Sequence, residues 1–308
     1  MKNQSRRKFV SGVTLGGGIL MSEMLNAEEE SKRWIDAHVH VWSKDRSAYP
    51  ISANFAGKDI DPPIYSPENL AADQKGTGVS RTLLIQMSFF EFDNSYMLDV
   101  IADDPKRFQG VAIVDETKSD VAATMKSLAE KGVGGFRLYA FPDKVKKWDA
   151  SEGIQTMWKT AAETGQAMCC LTDPESLPAV NAMSKKYPDT RVVIDHFARI
   201  GVTGEVDQKH LDQLLALAEF PNTYVKTSAF YALGKKAPPY TDLGPMIKQL
   251  RDAFGSERLM WASDCPYQVE GDHSYSASVD LITKKLDFLS PEDIENMMRG
   301  TAEGLFFS

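Results

Sequence analysis

Short apolar runs alternate with longer segments of helical period along most of the chain. Between the runs, apolar residues recur at intervals of three and four, as in 121–131, 154–164, 177–186 and 211–220. Because the runs have the length and composition of strands, the pattern predicts eight strand-then-helix units. The predicted strands are Trp34–Trp42, Arg81–Met87, Phe108–Val114, Val133–Tyr139, Ala167–Thr172, Arg191–His196, Thr223–Ser228 and Arg258–Asp264.

Eight β-then-α units with short connections are the sequence form of a (β/α)8 or TIM barrel, an α/β fold. We expect a single catalytic barrel domain over residues 34–308, because no internal repeat, low-complexity tract or linker divides that range. A doubly wound open sheet is the alternative. It would carry a glycine-rich phosphate turn after the first strand, and this sequence has none there.

The first residues have the order of parts found in an export signal. Arg6 and Arg7 precede an apolar, glycine-containing run that reaches Met21, and the small residue Ala27 stands before three glutamates. This order predicts a twin-arginine signal over residues 1–27, handled by the Tat export machinery, and a mature protein in the periplasm or outside the cell. The alternative is a basic tail with a chance arginine pair.

Composition narrows the class of protein. Of the 308 residues, 43% are hydrophobic and 25% are charged, which is the balance of an ordinary globular protein. The chain has 35 Lys and Arg residues and 43 Asp and Glu residues, and the resulting net charge of −8 argues against a nucleic-acid partner. Three cysteines are too few for a disulfide framework, and we expect them to be buried and inert.

Polar residues stand at the ends of three predicted strands, where a barrel of this type carries its chemistry. The first strand has His38 and His40 two residues apart, which places both imidazoles on one face and lets them converge on one ion. The sixth strand ends at His196 and the eighth at Asp264. Taken alone, a histidine pair is more often a hydrogen-bonded pair in the core than a metal site, and Asp264 taken alone could cap the next helix. Their coincidence at strand ends predicts a site.

With these ends in view, the sequence resembles the metal-dependent amidohydrolase superfamily, specifically its lactonase-like, amidohydrolase-related branch. The resemblance spans nearly the whole chain after the predicted signal, in family order. It rests on the segments Ile35–Trp42, Gly132–Arg137, Val193–His196, Tyr224–Ser228, Leu259–Pro266 and Gly300–Glu303.

The resemblance implies roles for four residues. His38 and His40 would be metal ligands of the first strand, and His196 a ligand or substrate contact of the sixth. Asp264 would be the acid of the eighth strand that handles the proton of water. Many members also carry a metal-binding histidine on strand five, whereas this chain has Cys169 and Cys170 there.

That departure argues against a two-metal centre. One divalent ion, best suited to zinc, would have His38, His40, Asp264 and His196 as its donors, and three protein ligands suffice for catalytic zinc. The lactonase branch also includes members without a metal requirement. Whether an ion occupies this site is therefore left open by the sequence.

Further cationic and polar residues lie at or just after other strand ends. Around one barrel mouth they would bind a small anionic or polyhydroxylated substrate, with arginine supplying a bidentate fork. For each one taken singly, a surface or ion-pair role is the alternative. The candidate substrate contacts are Arg137, Tyr139, Arg199, Lys226, Tyr231 and His273.

These residues predict an exported hydrolase that opens a lactone of a sugar acid or of an aromatic-degradation intermediate. Asp264 would act as general base on a water held by His38 and His40 or by an ion, and His196 would stabilise the oxyanion. One alternative is a metal-dependent decarboxylase of the same fold. Another is a non-catalytic periplasmic solute-binding protein that holds an anion without turnover.

Overall fold

A computed structural model describes residues 34–307 of the chain. Eight parallel strands follow one another in a single sheet, each paired with the next along the sequence. The strands are β1 (Trp34–Val39), β2 (Val79–Ile85), β3 (Phe108–Ala112), β4 (Val133–Ala140), β5 (Ala167–Thr172), β6 (Arg191–Ile194), β7 (Thr223–Thr227) and β8 (Leu259–Trp261). The predicted export signal, residues 1–27, lies outside the described residues.

Helices connect the strands and surround the sheet, which confirms the predicted (β/α)8 barrel. They are α1 (Pro67–Gln74), α2 (Ser95–Asp103), α3 (Val121–Ala129), α4 (Pro142–Val145), α5 (Glu152–Thr164), α6 (Leu177–Lys186), α7 (Gln208–Leu215), α8 (Gly244–Phe254), α9 (Tyr275–Asp280), α10 (Pro291–Glu295) and α11 (Thr301–Phe306). Within residues 34–307, no helix has both the length and the apolar character that crossing a membrane requires.

Two hydrophobic layers bury the strands. One lies between the outer face of the sheet and the helices, as the helical periodicity predicts. The other fills the barrel interior with small and branched side chains, among them Ile35, Val111 and Val193, and Phe306 of α11 packs into it. The three cysteines are buried and free, in agreement with the expectation from their number.

The barrel closes where β8 meets β1, just past the last residue of β8. The backbone amide of Asp264 donates to the carbonyl of His38 at 2.9 Å, and the amide of His40 donates to the carbonyl of Cys265 at 2.9 Å. Strand β8 is shorter than predicted. It pairs with β7 as far as Trp261, and the chain then forms a bridge from Cys265 to Val39 of β1. Three of the four residues expected to be catalytic, His38, His40 and Asp264, lie at this seam between β8 and β1.

A buried carboxylate strengthens the same seam. Asp36 accepts hydrogen bonds from the backbone amide of Ser263 at 2.8 Å and from the hydroxyl of Tyr275 at 2.6 Å. It also accepts one from the amide of His38 at 3.2 Å. The first strand, the last strand and α9 are thus tied together directly beneath the histidine pair.

Candidate active site

Three imidazoles converge on one oxygen of Asp264. The Nε2 atoms of His38, His40 and His196 lie 3.5, 3.3 and 3.8 Å from Asp264 Oδ1. The Nε2 atoms of His38 and His40 are 3.3 Å apart. All four side chains are buried. The carboxyl ends of β1, β6 and β8 therefore bring together the residues that the sequence places at strand ends.

The second oxygen of Asp264 has a different partner. Tyr231 donates a hydrogen bond to Oδ2 at 2.7 Å, so the carboxylate is fixed with Oδ1 turned toward the imidazoles. Burial alone would raise the pKa of Asp264, but the facing imidazoles, above all His196, hold that pKa below its usual value. Asp264 is consequently an ionised carboxylate at neutral pH.

Two of the imidazoles are oriented through their Nδ1 atoms. His40 Nδ1 lies 2.8 Å from the carbonyl oxygen of Ile85. Since a carbonyl only accepts, His40 Nδ1 carries a hydrogen and donates it to Ile85. His196 Nδ1 lies 2.8 Å from Ser228 Oγ, a hydroxyl that can donate or accept. Burial lowers the pKa of His196, so its ring is neutral at neutral pH.

Behind His38 lies a fully buried ion pair. Lys226 Nζ is 3.1 Å from His38 Nδ1 and 3.0 Å from Asp195 Oδ1, and none of the three residues is exposed. Burial alone would raise the pKa of Asp195, but the Lys226 ammonium holds it well below its usual value. Burial, together with the Lys226 ammonium, holds the pKa of His38 well below its usual value, so this ring is neutral.

The donor atoms around Asp264 fit one divalent ion. The ligand atoms of His38, His196 and Asp264 all lie within 4.8 Å of one another, and His40 Nε2 is 3.3 Å from both His38 Nε2 and Asp264 Oδ1. Ligands of a tetrahedral zinc ion with bonds of 2.0–2.1 Å stand about 3.3 Å apart, and nitrogen and carboxylate oxygen are zinc donors. The spacing and the donor types therefore suit a single ion.

The backbone is strained at the strand ends that present these groups. Residues 196–199, directly after β6, all have left-handed φ values, from 52° at His196 to 58° at Arg199. Asp264 has φ 66°, and Ala229, just past β7, has φ 56°. A run of non-glycine residues in this region is unusual, and such strain is commonly found at functional sites.

A cavity of about 310 Å³ opens onto Asp264, His40 and His196. Arg137, Tyr139, Arg199 and Tyr231 also line it. The guanidinium of Arg137 is largely buried, and within residues 34–307 its Nε has no hydrogen-bond partner. An uncompensated buried cation is unfavourable, so this wall of the cavity suits an anionic group of a ligand.

Two of the predicted substrate contacts lie elsewhere. Lys226 is fully buried behind His38 and does not line this cavity, so its position does not suit contact with a ligand there. His273 also lies outside the lining. Its ring stacks on Tyr240 with the ring centres 5.9 Å apart, and its Nδ1 is 2.9 Å from the Tyr240 hydroxyl.

Sequence reasoning did not single out three residues that shape the site. Asp195 holds Lys226, and its only signal was its place beside His196 at the end of a buried strand. Ser228 orients His196, and Tyr267 lines the cavity. Serine and tyrosine at strand ends and in loops are common, so neither gave a distinguishing signal.

Comparison with known proteins adds to this geometry. A family model described as amidohydrolase matches residues 35–307. An L-fucono-1,5-lactonase of Burkholderia ambifaria is 28% identical over 276 residues, covering 87% of this chain and 93% of that protein. A 2-pyrone-4,6-dicarboxylate hydrolase of Comamonas testosteroni is 25% identical over 248 residues, 78% of each chain. A solved amidohydrolase of Burkholderia multivorans with bound zinc has a TM-score of 0.70 and 19% identity, covers 89% of this chain and 99% of its own, and shares the fold.

Proposed function

Because this chain belongs to the amidohydrolase family, we propose that it is a hydrolase that opens a lactone ring by attack of water. The observation that carries the proposal is the position of Asp264, an ionised carboxylate faced by three imidazoles where a cavity reaches the barrel end. The sequence relatives named as a lactonase and a pyrone hydrolase support the same reaction class.

In the proposed reaction, Asp264 Oδ1 takes a proton from a water molecule held among the imidazoles, and the water oxygen attacks the lactone carbonyl. His196 Nε2 donates to the carbonyl oxygen as negative charge develops there, while the contact of 2.8 Å between His196 Nδ1 and Ser228 Oγ holds the ring in place. The acyl–oxygen bond then breaks. The proton on Asp264 passes to the ring oxygen that leaves as an alcohol.

We further propose that three of the converging donors can hold one zinc ion. His38, His196 and Asp264 would be its ligands, with the fourth position open to water or substrate. His40 Nε2 lies 3.3 Å from both His38 Nε2 and Asp264 Oδ1, so His40 would be an alternative ligand. When bound, zinc would polarise the carbonyl and acidify water.

The proposed substrate class is a lactone that also carries a carboxylate or another anionic group. Arg137 supports this choice, because its buried guanidinium lines the cavity without a carboxylate of the protein to pair with among the described residues. Arginine binds such groups through two parallel hydrogen bonds. A neutral, polyhydroxylated sugar lactone is the competing class, and it would leave this cation unpaired.

A paired lactone panel tests these statements. Neutral sugar lactones and carboxylate-bearing lactones would be followed by acid release with a pH indicator, with and without a chelator, for the wild type and Asp264→Asn. We expect turnover of the anionic set, and a fall of at least about 100-fold in kcat for the variant, the scale of a lost general base. Thermal melting checks that the variant folds. Undiminished turnover by folded Asp264→Asn would remove Asp264 from the mechanism.

A further inference from the structure

One side of the cavity consists of apolar side chains, which we call the apolar wall. Its members come from the end of β5 and from the segments that follow β6 and β7, and they are Leu171, Val202, Ala229, Ala232 and Leu233. Val202 is 39% exposed. Among residues 34–307, Phe92, outside this cavity, is the only other large apolar side chain exposed to that degree. Covering the surface of Val202 with an apolar part of a ligand is therefore favourable.

The apolar wall is continuous across two loops. The backbone amide of Gly234, after β7, donates to the carbonyl of Gly201, after β6, at 2.9 Å. This hydrogen bond joins the loops next to Val202 and Leu233, and both of these side chains line the cavity. The two loops therefore present one apolar surface to a bound ligand.

Polar groups near the apolar wall are already engaged within the protein. The backbone amides of Val202, Ala232 and Leu233 donate to carbonyls of their own loops at 3.2, 3.0 and 3.4 Å. Two polar side chains of the same loops, Tyr231 and Arg199, bond to carboxylates of the protein at 2.7 and 2.8 Å. A ligand hydroxyl that faces this wall would lose its hydrogen bonds to water without a replacement, which is unfavourable.

The cavity therefore has three sides of different chemistry. Asp264 and His40, at the ends of β8 and β1, form the reactive side. Arg137 of β4 forms a cationic side, and the apolar wall occupies the sector from β5 to β7. A ligand that satisfies all three carries an ester bond, an anionic group and an apolar face.

We propose that the substrate is an anionic lactone whose ring bears no hydroxyl groups, an alkyl-substituted or unsaturated ring that packs on the apolar wall. Val202 and Ala232 determine this specificity, because their side chains reject the hydroxyl groups of a lactone derived from a sugar acid. The inference rests on the proposed function for the binding of the anionic group at Arg137, and it narrows the substrate class within that function.

Two carboxylates with the same ring test the inference without turnover. Cyclohexanecarboxylate has an apolar ring, whereas quinate carries several hydroxyl groups on that ring, and neither is a lactone. Isothermal titration calorimetry of the wild type would give both dissociation constants. We expect cyclohexanecarboxylate to bind at least about 10-fold more tightly, because hydroxyl groups of quinate would be buried without partners. Equal or tighter binding of quinate, or no binding of cyclohexanecarboxylate at millimolar concentrations, would overturn the inference.

Variants of the apolar wall test which residues set the preference. Val202→Thr and Ala232→Ser each add one hydroxyl group to the wall with little change of size. Each should narrow the ratio of the two dissociation constants by about 3- to 10-fold. Val206→Thr makes the same change in the loop after β6 but outside the cavity lining, so it should leave the ratio unchanged. An unchanged ratio in both wall variants would show that these residues do not determine specificity.

Arg137→Met shows where the carboxylates bind. It should weaken the binding of both, and full retention of both affinities would place them outside this cavity and contradict the inference. Failure of the proposed reaction is a separate result, seen as no hydrolysis of any lactone while the preference for the apolar ring remains. Equal hydrolysis of hydroxylated and unhydroxylated anionic lactones would instead contradict this inference and leave the proposed reaction intact.

Discussion

The cationic residues expected to face substrate differ in what already neutralises them. Arg199 pairs with Asp173 at 2.8 Å and is half-exposed, and Lys226 pairs with Asp195 inside the barrel. Arg137 has no ion pair among residues 34–307, although it is the cation at the cavity wall that is largely buried. Arg137 and Lys226 both lie within apolar strands. The ion-pair partner of each cation, and not its residue type, therefore distinguishes a cation that can bind substrate from one with a structural role.

Arg137→Met should weaken binding of an anionic lactone selectively. A hydrogen bond to a charged group contributes about 1.5–3 kcal/mol, which corresponds to a rise in KM of roughly 10- to 150-fold for carboxylate-bearing lactones. Neutral lactones should keep their KM, and kcat should change little for either set. Steady-state kinetics on matched neutral and anionic lactones gives both values.

Arg199→Met is the matched control for this prediction. Its guanidinium is already satisfied by Asp173, so its loss should raise KM by a smaller factor. Equal losses on neutral and anionic lactones in Arg137→Met would indicate a role in folding or shape, and would contradict the proposed substrate class.

The residues just past the strand ends are strained in this barrel, and among the described residues the run of four left-handed residues lies after β6. Ala198 is fully buried with φ 53°, and it stands between His196 and Arg199, which the left-handed turn presents to the cavity. A left-handed conformation costs an alanine roughly 1–2 kcal/mol that a glycine avoids. The turn is therefore maintained by its surroundings and not by local preference.

Ala198→Gly should leave stability nearly unchanged. Loss of a buried methyl group and the greater freedom of glycine in the unfolded chain together cost about 1–2 kcal/mol, and relief of the left-handed strain returns a similar amount. Ala161→Gly, at an equally buried position in the right-handed helix α5, should lose about 2 kcal/mol because nothing offsets it. Equal destabilisation of the two variants in denaturant melts would show that the turn is not strained.

The closure between β8 and β1 depends on Asp36. Asp36→Ala removes the acceptor of two backbone amides and one phenol, all buried, and each orphaned donor costs about 1–3 kcal/mol. We expect a loss of about 3 kcal/mol or more in the free energy of unfolding. Tyr275→Phe deletes one of these donors and also the hydroxyl that accepts a hydrogen bond from Gln74 Nε2, and it should cost about 1–2 kcal/mol. A reversed order of the two variants in urea titrations would contradict this account of the seam.

At the scale of the whole molecule, the order of eight strands was predictable because each strand is a short apolar run set between helical periods. The convergence of His38, His40, His196 and Asp264 followed from the same order, since a barrel gathers its strand ends. Contacts between side chains on different strands were not predictable, because they depend on how the strands align with one another in the barrel. Lys226 reaches His38, 188 positions away in sequence, and no local pattern encodes that contact.

The directions of side chains in the loops were also not predictable from the sequence. Tyr231 lines the cavity, but nothing in the sequence indicates that its hydroxyl donates to Asp264, and His273 stacks on Tyr240 outside the lining. Tyr231 follows β7, whose predicted end is within one residue of the observed one, and His273 follows β8, which ends three residues earlier than predicted. Their directions are set by the conformation of long connections, which neither periodicity nor composition determines.

The export predicted from residues 1–27 is related to the architecture of the barrel. The candidate site combines the first and last strands of the barrel, so it exists only after the whole domain has folded. We propose that residues 1–27 direct export of the folded protein through the twin-arginine route. Replacing Arg6 and Arg7 by lysines should retain the protein in the cytoplasm, as measured by cell fractionation and immunoblotting. Lys2→Gln, which removes a charge outside the pair, should still be exported. Equal periplasmic amounts of the double-lysine variant and the wild type would show that the arginine pair does not direct export.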